Sequence, residues 1–193
     1  MAPEYRPLML AQQDRAFAAA DRAAWAARFP AREWAMERKY DGWRCLVSVR
    51  DHTVSAWHRA GRDAWGQPRS GLPWQLPPHL VAALSGLDDC DLDGEMMRHD
   101  QADAALILFD ILAAGADDLT AQSYTVRRLG LEAIAGRLPA GGPVTVIETG
   151  RPDPALYAEI IGAGGEGVVL KRVASPYRGQ RSNNWVKVKA RES

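Results

Sequence analysis

The sequence predicts an α+β domain built mostly from antiparallel sheet. Three observations point there. Short runs rich in Val, Ile, Leu and Trp recur along the chain, with turn-forming residues between several of them. Only four segments have helical character, and they do not alternate with strands as a doubly wound parallel sheet requires. At 193 residues, 47% hydrophobic and 25% charged, the chain suits one domain, expected to span residues 1–193, with a real core.

In chain order, the Ala-rich stretch 14–29 spaces Phe17, Trp25 and Phe29 at roughly helical intervals and predicts a helix. Strands follow at 34–38, 43–49 and 53–57, separated by Asp41-Gly42 and by Asp51-His52. Such separators predict an antiparallel meander. Residues 61–78 are rich in Gly and Pro and read as loop, with Pro77 and Pro78 opening a short helix to Leu84. Strands resume at 90–97 and 104–112. A helix is expected over 123–138 despite Gly130, a strand over 144–148, and a helix over 153–164 with Asp153 as its cap and a glycine stop. Strands at 167–172 and 184–190 complete the chain.

Lys and Arg number 24, as do Asp and Glu, so net charge alone does not point to nucleic acid. Cys45 and Cys90 sit in apolar runs and read as buried thiols, and the four histidines lack metal-ligand spacing. The N-terminus has no basic-then-apolar leader and no segment is apolar enough to span a membrane, so a cytoplasmic location is expected.

Strand parity marks the candidate functional residues, because alternate side chains share a face. In the segment Trp185-Val-Lys-Val-Lys, Lys187 and Lys189 share a face with Trp185, opposite Val186 and Val188. Asp93 and Glu95 share one face of their strand, and Leu92 and Met96 the other. Asp110 is the odd residue of an apolar run, and a carboxylate there needs a partner. Glu166 stands between glycines at a strand entry, where the backbone can approach a ligand; it fits no Walker pattern. Singly, each has an ordinary explanation as a solvated edge, a turn or a core residue.

Their order is more informative. Lys39-Tyr-Asp-Gly, Arg59-Ala-Gly, Asp93-Gly-Glu95, Phe109-Asp, Glu166-Gly and Lys187-Val-Lys189 follow one another. This series resembles the covalent nucleotidyltransferases: ATP-dependent DNA ligases, RNA ligases and mRNA capping enzymes. The resemblance covers about Pro7 to Lys189. The segments "RPLMLA", "WAMERKYDGWRCLV" and "GGEGVVLKRVASPYRGQRSNNWVKVK" look most like bacterial DNA ligases of the end-joining type.

The resemblance implies antiparallel sheets flanked by helices around a nucleotide cleft, an ATP-grasp-like nucleotidyltransferase fold. It makes Lys39 the nucleophile that attacks the α-phosphate of ATP. A lysine amine attacks only when neutral, and free lysine titrates at about 10.4, so neighbouring cations and partial burial would favour the reactive form. By the same resemblance Lys187 and Lys189 contact the α-phosphate, Glu37 the adenine edge and Phe109 its face. Arg44 and Arg59 contact the nucleotide's sugar and phosphates or the DNA end. Glu95 lies near the ribose and, with Glu166, serves a magnesium or manganese ion. Asp41 and Gly42 shape the loop.

The implied partner is nicked double-stranded DNA, and a monomer is expected. From Lys171 to Ser193 there are seven Lys/Arg and one acid, and Lys171, Arg178 and Arg181 are expected to face DNA phosphates. Relatives continue into an OB-fold domain that orients pyrophosphate. This sequence stops four residues after Lys189, so it is expected to be either a piece of a larger ligase or a minimal core without that domain, served by a separate OB-fold domain or a DNA-repair partner. RNA-end joining, and a non-catalytic nucleic-acid-binding module of the same ancestry, remain alternatives. Capping is disfavoured by the C-terminal block.

Overall fold

The computed structural model describes residues 9–13, 22–58 and 71–189. In order these form β1 (Leu10–Gln13), α1 (Arg22–Arg28), β2 (Trp34–Lys39), β3 (Trp43–Arg50), β4 (Thr53–His58) and β5 (Leu72–Pro73). Next come α2 (Pro78–Leu84), β6 (Cys90–Met97), β7 (Ala105–Ala114), β8 (Asp117–Asp118) and α3 (Tyr124–Ala135). The remainder is β9 (Val144–Val146), β10 (Thr149–Gly150), α4 (Pro154–Gly162), β11 (Gly167–Arg172) and β12 (Arg181–Lys189). The expected α+β class holds. Of the helix expected over 14–29, residues 14–21 lie outside the described residues.

Among the described residues the strands form two sheets. One runs β1-β12-β11-β2-β10; the other runs β5-β4-β3-β6-β7-β8, with β9 also on β7. Pairing is antiparallel except for β1 with β12 and β7 with β9. Three apolar clusters organise the layers. Trp25 and Phe29 from around α1 and Ile160 of α4 cover one face of the first sheet through Met36, Val168, Leu170, Val186 and Val188. Leu80 and Leu84 of α2 and Leu131 and Ile134 of α3 cover one face of the second sheet through Val47, Leu92, Leu106 and Ile111. Between the sheets Met9, Leu46, Leu112, Tyr177 and Trp185 pack together. Apolar side chains on both faces of a sheet explain why so few strands alternate cleanly between apolar and polar. Both thiols are buried and unbridged, as expected. No described helix is long and apolar enough to cross a membrane.

Helix starts follow local chemistry. Ser123 accepts from the Val126 amide to cap α3, and Asp153 accepts from the Ala155 amide ahead of Pro154 to cap α4. Asp110 finds its partner in Arg127 of α3, whose Nε and Nη2 donate to its two oxygens at 2.7 and 3.0 Å. Arg127 also donates to the Gln122 and Ser175 carbonyls, so a fully buried ion pair ties α3 to β7 and to the turn before β12.

The expected meander fails at its first turn. β3 and β4 form a hairpin, but β2 pairs with β11 and β10 in the other sheet. Asp41-Gly42 is therefore a crossover between sheets. A Cβ on Gly42 would lie 2.4 Å from the Met96 carbonyl oxygen, so glycine serves close approach to β6 here rather than a hairpin turn. A second departure lies in β7. Simple alternation along the strand would put Phe109 on one face with Ile107 and Ile111, but Ile111 joins the helix-covered core while Phe109 and Leu112 face the space between the sheets. The pairing of β6 with β7 slips between Asp93 and Gly94, leaving Phe109 as the extra residue of a bulge that reverses the alternation.

Candidate nucleotide pocket and lysine cluster

The space between the sheets opens into a pocket of about 370 Å³, walled by β2, β11 and β12 on one side and β3, β6 and β7 on the other. That volume falls in the range of small-molecule sites. Among the sequence-predicted residues, Glu37, Lys39, Arg44, Glu95, Phe109 and Lys187 line it. Glu166 and Lys189 do not line it, but Glu166 bonds Lys39, which does, and Lys189 bonds Glu166. Arg59 lies outside the described residues.

Sheet register explains the lysine end. Gly167 of β11 pairs with Lys39 of β2 on one side and with Lys189 of β12 on the other. Gly167 has φ +143°, and a Cβ there would lie 2.1 Å from the Val188 carbonyl oxygen. Only glycine lets these strands close at that point. Glu166, immediately before it, takes the Lys39 ammonium on Oε2 and the Lys189 ammonium on Oε1. Burial would raise the Glu166 carboxyl, but hydrogen bonds from Lys189 and Lys39 outweigh it and hold the group below its usual value. Burial, followed by the charges of Lys189, Lys39 and Arg181, lowers the Lys187 ammonium. Crowded cations of this kind make an anion site.

The opposite end is closed by a buried network. Lys171 Nζ bonds Glu37 Oε2 at 2.7 Å and the Phe109 carbonyl at 2.7 Å, and sits 4.3 Å from the centre of the Trp185 ring. Tyr124 donates to Glu37 Oε1 at 2.5 Å, with Thr149 beside it. The expectation that Lys171 faces DNA is thus corrected. Its side chain is 1% exposed, because parity places Val169 and Lys171 on the face that β11 turns to the pocket. The same parity argument, applied at Lys187 and Lys189, finds Lys171 from sequence once its strand's neighbours are known. Arg181 does reach the pocket rim, donating to the Ala11 carbonyl.

The second wall is equally tied down. Arg44 grips Asp93 through Nε and Nη2, both at 2.5 Å, and Tyr177 donates to the same carboxylate at 2.7 Å. The Arg44 guanidinium lies 4.6 Å from the Phe109 ring centre and also donates to the Met9 carbonyl. Burial would weaken the charge on Arg44, but Asp93 more than offsets it and raises the pKa. Glu95 accepts from the Gly42 amide at 3.2 Å, and burial raises its carboxyl against the pull of Arg44 and Lys39.

Among the described residues no three His, Cys, Asp or Glu side chains form a metal cage. Each Glu166 oxygen already holds an ammonium. This donor set fits a hard cation that arrives with a ligand's phosphate oxygens, since magnesium needs few carboxylates when phosphate and water complete its shell.

A two-sheet domain with a cationic lysine cluster at one end of a nucleotide-sized cleft is the architecture of a nucleotidyltransferase. The profile of the ATP dependent DNA ligase domain matches residues 98–189. The multifunctional non-homologous end joining protein LigD of Pseudomonas aeruginosa is 33% identical over 182 residues, covering 83% of this chain and 20% of that protein. The ligase domain of Mycobacterium tuberculosis LigD superposes with a TM-score of 0.69 at 28% identity, covering 94% of this chain and 58% of that one. A mycobacterial DNA ligase D complexed with ATP and MES gives 0.68 at 28% identity, covering 94% and 59%. Residues 98–189 thus belong to the ATP-dependent DNA ligase domain family, and the fold of the whole chain is that of the LigD ligase domains. The chain spans 20–31% of the length of the first three curated relatives it matches.

Proposed function

We propose that this domain takes AMP from ATP onto Lys39 and passes it to the 5′-phosphate at a DNA nick, for sealing by the adjacent 3′-hydroxyl. The observation that carries this reading is the position of Lys39. It is the nucleophilic side chain at the pocket wall where Glu166, Lys187 and Lys189 converge. The ATP complex of the mycobacterial relative supports the choice of nucleotide.

In the proposed reaction the Lys39 nitrogen bonds to the α-phosphorus and the bond to the β-phosphate oxygen breaks, releasing pyrophosphate. Lys39 gives a proton to solvent water before attack, so that the neutral amine is the nucleophile. Lys187, which lines the pocket and whose ammonium is lowered by burial and then by neighbouring cations, offers charge to the α-phosphate oxygens as negative charge builds there. Lys189 is placed to do the same once its contact with Glu166 loosens. Phe109, backed by the Arg44 guanidinium, is the wall for the adenine face, and the Glu37 carboxylate is its edge contact. Glu95 faces the ribose. Glu166 and Glu95 would hold a magnesium ion arriving with the phosphates, and the ion would neutralise phosphate charge there. A bulky, buried base pocket at one end and a cationic end at the other set the direction of the nucleotide.

The test is incubation with α-labelled ATP or GTP and magnesium, followed by denaturing electrophoresis and intact-mass measurement. Covalent AMP on the wild type, none from GTP and none on Lys39→Ala is the expected pattern. Label retained by Lys39→Ala refutes the nucleophile assignment.

A further inference from the structure

A half-exposed tryptophan at the pocket lip has no role in this scheme. Trp43 is 51% exposed, belongs to none of the three apolar cores, and lines the pocket beside Arg44 and Gly42. It is not a loose surface residue. His99 lies against it with ring centres 4.5 Å apart and planes 33° apart. His58 and Trp74 meet it at 6.0 and 6.3 Å, and each of them also packs on the other. Trp74 in turn contacts His99 at 5.9 Å. Three rings, from β4, the exit of β6 and the segment before α2, therefore brace one indole.

We infer that Trp43 is a stacking platform for a nucleobase of the DNA strand flanking the break. The inference rests on the proposed function above. Its position selects the ligand. Trp43 pairs with Met96 and its neighbour Arg44 pairs with Glu95, so the indole sits one residue outward from the Glu95 end of the pocket. A second substrate approaching a pocket-bound AMP must pass that lip, and the flat, apolar surface that a strand break frees from its backbone link is the face of a base. Base–aromatic stacking tolerates any sequence, because every base presents a π-face. A protein partner is disfavoured: the rings brace one indole rather than spread into the broad apolar patch such a contact needs.

The experiment uses the whole chain and a nicked duplex made unreactive by a 3′-dideoxy end, with 2-aminopurine placed on either side of the nick. Wild type should quench the 2-aminopurine on binding at one of the two positions. Trp43→Ala should lose that quenching and bind the nick about tenfold more weakly or worse, and Trp43→Phe should keep most of both. Thermal melts of both variants establish that they fold. Lysyl-AMP formation, followed by intact mass, separates the two readings. Wild type that forms no adduct refutes the proposed function. An adduct-forming wild type that binds the nick without quenching at either position overturns the platform, as does Trp43→Ala binding and quenching like wild type. A loss of lysyl-AMP formation in Trp43→Ala as large as its loss of DNA affinity also overturns it, since the indole then serves the nucleotide pocket.

Discussion

Lys171→Met removes the charge from the most enclosed cation of the pocket while keeping its length and apolar stem. In the native protein the ammonium is shared by the Glu37 carboxylate and the Phe109 carbonyl, both at 2.7 Å, and three aromatic rings surround it within about 5 Å. Glu37 is 2% exposed at its side chain. The variant leaves that carboxylate with the Tyr124 and Thr149 hydroxyls alone, and leaves the Phe109 carbonyl without its ammonium donor. Removing one partner of a buried ion pair costs about 3–5 kcal/mol. Against a total stability of about 5–15 kcal/mol, the variant should fold but melt about 6–20 °C lower. The companion variant Glu37→Gln/Lys171→Met carries no buried charge, and Gln keeps an acceptor for Tyr124. It should cost about 1–2 kcal/mol, less than Lys171→Met alone. Urea melts of wild type, both single variants and the double variant give the coupling directly. A cost below about 1 kcal/mol for Lys171→Met, or simple additivity in the double variant, would refute the claim that this pair closes the pocket floor.

Phe109→Ala should weaken ATP binding by about 1–3 kcal/mol in titration calorimetry, the range of base–aromatic stacking; an unchanged affinity removes Phe109 from the base site. Glu166 has a folded pKa below its ordinary value of 4.5, so the stability it contributes is fully present above about that pH and disappears as the pH falls through the lowered value. Melts of wild type and Glu166→Gln should therefore differ at neutral pH and converge in acid; a gap that persists well below the lowered value contradicts the ion-pair reading. Gly167→Ala should destabilise the junction of β2, β11 and β12 through both its positive φ and its clash with the Val188 carbonyl. Hydrogen exchange should show that loosening around Lys39 and Lys189, and native-like protection there would count against it.

Much of this protein is legible in its sequence. Local pattern placed most described strands and helices within a few residues, because apolar periodicity and caps act over one or two turns. Strand parity set Lys187 and Lys189 beside Trp185, and the order of short motifs led to the ligase resemblance that the comparisons support. Tertiary structure decided the rest. Asp-Gly after Lys39 reads identically as a hairpin turn or as a crossover, and only the pairing of β2 with β11 shows which. The bulge at Phe109 comes from two strands meeting out of step, which neither strand records alone. Lys171 looks like one more basic residue in a basic tail; it is buried because Glu37, 134 positions earlier, lies two residues along the strand beside it. Charges, bulges and crossovers are settled by partners distant in the chain. A sequence states which side chains are present, while the pairing of sheets states which of them share a space and can offset the cost of leaving water.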